Sequence, residues 1–155
     1  MATLTINYNE QCVIGGTDHN HFVSKAITGI EQHYSQSVEV LHTGEQTLLN
    51  IDTTSGPGQL IGTDIKYLRI TNRSTANFIT LNFVFDDSTD SAYQVKVDKG
   101  MSYLVSVDLD GARPGFDATD GGLAMSLAGS HHNIESIRAQ ADTATCLVDI
   151  VAFLS

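Results

Sequence analysis

The chain has 155 residues, enough for one domain with a sizeable core and too short for two independent ones. Apolar residues make up 41% and charged residues only 17%, with a formal net charge of −10, so much of the polar surface must come from Thr, Ser, Asn, Gln and Gly. Before Ile65 the only lysine or arginine is Lys25, set against seven acids; no basic stripe is present for a nucleic-acid backbone, and no apolar run reaches the roughly 20 residues of a membrane helix.

The opening "MATLTINYNEQ" lacks the basic and apolar segments of a secretory signal. This points to synthesis in a cytoplasm, with the two cysteines, Cys12 and Cys146, buried and reduced. Residues 1–37 offer strand candidates at 3–8 and 21–27, broken by "GGTDHN" and "GIEQHYSQ". They read as an irregular N-terminal arm with outer strands. From residue 38 to 155 alternation dominates. "SVEVL" and "TLLNI" flank "HTGEQ" as a first hairpin. In "KYLRITNRSTANFITLNFVFDD", Leu68 and Ile70 share one face before the turn, and Ile79, Leu81, Phe83 and Phe85 share one after it. The polar link "NRSTAN" supplies side chains that bond their own backbone, which predicts a second hairpin. "SAYQVKV" and "MSYLVSVDL" around "DKG" predict a third, with Gly100 suited to a positive φ. The closing "TATCLVDIVAFLS" is apolar on both faces apart from Asp149, as in a central strand or one covered by a neighbouring subunit. A helical turn or two is expected only around residues 121–128. The whole predicts an all-β fold, an antiparallel β-sandwich or jelly roll.

Catalytic patterns are missing. "AMSLAGS" puts Ala124 where a nucleophile elbow needs glycine, and no phosphate loop or dinucleotide fingerprint occurs. The aspartates of "DLDGARPGFDATDGG" (residues 108–122) could ligate Ca²⁺, but the spacing fails the EF-hand pattern, and a solvated loop is the plainer reading. "DDSTD" at 86–90 reads the same way. His19 and His21 would share one face of a strand, without a third ligand at suitable spacing; these two, His33, His42, His131 and His132 are expected at the surface or between subunits. No cofactor and no metal site is predicted.

The stretches "IKYLRITNRSTANFITLNF", "YQVKVDKGMSYLVS" and "IESIRAQADTATCLVDIVAFLS", with the opening "MATLTINYNE", carry a resemblance that runs in order along residues 1–155. The chain resembles small virion structural proteins of tailed bacteriophages, of the marine and cyanobacterial phage type. The resemblance implies a non-enzymatic head-decoration (cement) protein with a jelly-roll-like sandwich, a homotrimer on the outer surface of the phage head, partnered by the major capsid protein or another virion protein. It brings no catalytic residues. The expected oligomer or capsid interface comprises Leu4, Ile6, Tyr8, Phe22, Leu147, Val151 and Phe153. The alternative is a tail or fibre module that binds a host-surface carbohydrate through loops at 108–122 and 129–133.

Overall fold

The computed structural model describes residues 1–52, 59–85, 92–106 and 134–155. Two sheets pack face to face, as predicted for a β-sandwich. The four-stranded sheet contains β5 (Gln32–Val40), β8 (Ile65–Asn72), β11 (Ser102–Ser106) and β13 (Cys146–Leu154) in the order β11-β8-β13-β5. The five-stranded sheet contains β6 (Gln46–Asp52), β7 (Gln59–Ile61), β9 (Ile79–Phe85), β10 (Ala92–Val97) and β12 (Ile134–Ala141) in the order β10-β9-β12-β6-β7. Pairing is antiparallel except between β6 and β7 at one edge. Among the described residues, no helix is long and apolar enough to cross a membrane.

Alternation dictates the core. On β13, Cys146, Val148, Ile150, Ala152 and Leu154 point inward and are buried. They meet Leu68 and Ile70 of β8 and, across the sandwich, Ile79, Leu81 and Phe83 of β9. β13 lies between β5 and β8, the central position that its doubly apolar sequence predicts. The Phe83 ring stacks on Tyr93 at 4.6 Å and tilts against Tyr103 at 5.4 Å, tying the β10 edge to the opposing β11 edge.

The three expected hairpins are not hairpins. β5 and β6, β8 and β9, and β10 and β11 each lie in different sheets, so every predicted turn is an arch that carries the chain across the core. The link from β12 to β13 does the same. Alternation fits both geometries, because either way one face of each strand points inward. The links are four to six residues long, long enough to span the roughly 10 Å between sheets rather than the roughly 4.8 Å between paired strands. Within the 73–78 link the side-chain bonds come as expected: Asn72 Oδ1 accepts from the Ser74 amide at 3.0 Å, and Ser74 Oγ accepts from the Asn77 amide at 2.9 Å. Asn72 itself is fully buried, and its amide donates to the carbonyls of Asn77 (2.9 Å) and Val97 (3.2 Å), joining two arches. Gly100 adopts the expected positive φ, 70°.

The N-terminal arm is also more regular than expected. β1 (Ala2–Glu10) and β4 (His21–Ile30) form an antiparallel ribbon closed by the short pair β2 (Val13–Ile14) and β3 (Thr17–Asp18). "GIEQHYSQ" does not break the chain, since β4 runs almost directly into β5, and the boundary expected after residue 37 falls inside β5. Cys146 is buried as expected, but Cys12, near the ribbon tip, is exposed; both are free thiols. The possible helix near 121–128, the aspartate-rich loop at 108–122, residues 86–90 and the His131–His132 pair lie outside the described residues.

Candidate interaction surface

The ribbon is built around two glycine features. At the tip, Gly15 (φ 60°) and Gly16 (φ 83°) occupy consecutive left-handed positions between Ile14 and Thr17, the geometry of a two-residue hairpin turn. Beside it the Cys12 carbonyl accepts from the His19 amide (2.7 Å), and the Cys12 amide donates to Asn20 Oδ1 (3.2 Å). At the base, Gly29 (φ 76°) makes a bulge: Ala2 faces Ile30 and Leu4 faces Ile27, so β4 spends one residue more than β1. That extra residue restores the phase of the alternation, and both Ile27 and Ile30 are buried.

The buried base sits on the outer face of the four-stranded sheet. Ile27 and Ile30 join Tyr67 in a second hydrophobic cluster, with Leu4, Ile6, Leu104 and Phe153 packed against it. Tyr67 points away from the main core yet is only 6% exposed, since the ribbon covers it. Burial lifts its phenol above the ordinary value of 10.0, with Arg69 pulling the other way and Tyr8 adding to the rise. Phe153, paired in register with Tyr67 and His33, touches both rings at 6.0 and 4.9 Å.

Beyond the base, every ribbon residue from 7 to 26 is exposed. Its apolar content does not stop there. Tyr8 pairs with Val23, in line with Leu4 and Ile6 along β1, at 37% and 40% exposure; Phe22, Val13 and Ile14 follow at 64%, 66% and 64%. An isolated two-stranded ribbon is marginally stable in water, and large aromatic and aliphatic side chains concentrated on one protrusion mark a contact surface.

The interface residues expected from sequence fall in three places. Leu4, Ile6 and Phe153 come together at the ribbon base. Tyr8 and Phe22 lie on the exposed half. Leu147 and Val151 project from the outer face of β13, with Leu147 at the far end of the strand from Phe153. Between them Asp149 accepts from Ser37 Oγ (2.6 Å) and pairs with Arg73 (3.3 Å). Sequence reading overlooked Val13, Ile14 and Val23, although the "IGGT" tip carries a two-residue turn signal that would have placed them on a hairpin.

The outer face of the five-stranded sheet is different in character. Thr80, Asn82, Gln94, Gln140 and Glu45 line a shallow polar groove of about 220 Å³. Asn82 Nδ2 donates to Glu45 Oε1 at 2.8 Å, Arg138 lies 3.9 Å from the same carboxylate, and the enclosed Asn82 Oδ1 has no partner. Among the described residues, no three histidine, cysteine or carboxylate side chains converge on a point that could hold a metal ion. No family model matches this chain, and no curated protein matches it.

Proposed function

We propose that this chain is a non-enzymatic structural subunit of a phage-type particle, a decoration or cement protein that self-associates and binds the outer surface of the head. The observation that carries the reading is the N-terminal ribbon, a regular element whose base is locked to the sandwich and whose outer half keeps large apolar side chains exposed among the described residues. The strand order supports it. Among the described strands from β5 to β13, six of the eight successive steps change sheet, with β6–β7 and β9–β10 the exceptions, which we read as jelly-roll-like, an architecture shared by viral capsid and lectin domains. The resemblance of the strand sequences to phage virion proteins points the same way.

Mechanistically, a rigid sandwich with a protruding ribbon can bridge neighbouring chains of a shell. A ligand that binds only the assembled lattice adds RT ln(1 + [L]/Kd) of stability at each site, and many copies act together. The test is co-sedimentation with empty shells of the major capsid protein from the same particle. A variant with residues 9–22 replaced by Asn-Gly keeps the Leu4–Ile27 base and the Tyr8–Val23 pair. The intact protein should pellet saturably with the shells and the shortened one should stay in solution; equal pelleting of both refutes the ribbon's role.

A second reading, a tail or fibre module for a host-surface carbohydrate, draws on the groove at Asn82, whose amides and carboxylate could meet a hydroxyl-rich ligand. Binding on a glycan array that Asn82→Ala and Gln94→Ala abolish would favour it.

A further inference from the structure

Among the described residues after Met1, the large exposed apolar side chains fall into two groups. One is the ribbon, described above. The other is a single end of the four-stranded sheet, where Leu147 is 42% exposed, Leu41 47% and Met101 62%. The backbone gathers these three at one end. Leu147 follows the Cys146–Val40 pair, Leu41 follows Val40, and the Leu147 carbonyl accepts from the Arg73 amide. The neighbouring backbone amide of Asn72 in turn donates to the Met101 carbonyl.

This second group continues a surface that already accepts the ribbon. The outer face of β13 presents Phe153, Val151, Asp149 and Leu147 in a row. The chain's own ribbon base occupies the Phe153 end, and the Leu147 end is uncovered by the described residues. We infer that the exposed half of the ribbon, with Val13, Ile14 and Phe22 at its lead, seats on the Leu147 end of a second copy of this chain. One molecule carries both halves of the contact, and the halves differ, so the association is head-to-tail: it closes into a ring when the rotation allows and runs on as a filament when it does not. The inference rests on reading the ribbon as an interaction arm and is independent of which shell the assembly binds.

Mixing variants tests it. Val13→Asp with Ile14→Asp spoils the ribbon and leaves the sheet end intact; Leu147→Asp does the reverse, and Met101→Asp is the independent second variant should Leu147→Asp unfold. All of these side chains are exposed, so circular dichroism should show intact sheets. By light scattering after size exclusion, without shells, the wild type should run as a multimer and each variant alone as a monomer. An equimolar mixture of ribbon and sheet-end variants should give a species of two chains and nothing larger, since one good ribbon meets one good sheet end. In a separate measurement, Leu147→Cys should form an intermolecular disulfide with Cys12 on mild oxidation. A wild type that stays monomeric, variants that keep the multimer mass, or a mixture that stays monomeric overturns the inference. A wild type that multimerises in this way but ignores shells leaves it standing and removes only the proposed function; one that binds shells as a monomer does the opposite.

Discussion

Asn72 shows how one side chain can hold a topology. Fully buried, it satisfies the carbonyls of Asn77 and Val97 and receives the Ser74 amide. Removing a buried partner leaves the others desolvated and unpaired. Asn72→Ala should therefore destabilise the fold by about 2 kcal/mol in urea unfolding, near the middle of the range for an orphaned buried group, without changing shell binding at temperatures where it is folded. The tyrosines predict a pH response. Burial is the leading cause that raises Tyr34, Tyr67 and Tyr93 above the ordinary 10.0, with Tyr103 adding to the rise at Tyr93. A raised value in the folded state means that the unfolded chain loses these protons first. Their contribution is fully present below pH 10 and declines as pH rises through 10 and beyond. Urea midpoints should hold level from pH 8 to 9.5 and fall above pH 10, and Tyr93→Phe should flatten part of that fall.

At the scale of elements, the apolar anchor of the ribbon among the described residues lies at its base, so it should open without the sandwich opening. Ile27 is 1% exposed and central to that anchor. Ile27→Ala should weaken the base by about 2 kcal/mol, or roughly 30-fold faster amide exchange. The effect should be confined to β1 and β4, with β13 amides unchanged; uniform acceleration would mean that ribbon and sandwich form one cooperative unit. The strands were legible in the sequence because alternation is local: Leu68 and Ile70, or Ile79 and Leu81, announce their buried face without reference to anything distant. Pairing was not legible. The arch from β8 to β9 is fastened by Asn72 reaching the Val97 carbonyl 25 residues away, and no short-range pattern encodes that contact. The ribbon's regularity was hidden for a different reason. Gly29 shifts the phase of β4 by one residue, so Ile27 and Ile30 look out of step until the bulge is seen.

At the scale of the molecule, three of the residues expected at an interface, Leu4, Ile6 and Phe153, come together at the ribbon base, and nothing in the sequence signalled that they would meet there or form an anchor within the chain. Exposure depends on where the body ends, which is a property of the packed sandwich. What emerges is a division of labour: the sandwich supplies rigidity, and the ribbon carries apolar surface that is exposed among the described residues. If that surface exists to bind and stabilise a shell, shell melting reports it most directly. Scanning calorimetry of empty shells with saturating intact protein should show the shell transition raised, by an amount that grows with free protein, about 2.7 kcal/mol per site at a hundredfold excess over Kd. The protein with residues 9–22 shortened to Asn-Gly should leave the transition where the bare shells put it. An equal rise with the shortened protein, or no rise with the intact one, would contradict the account.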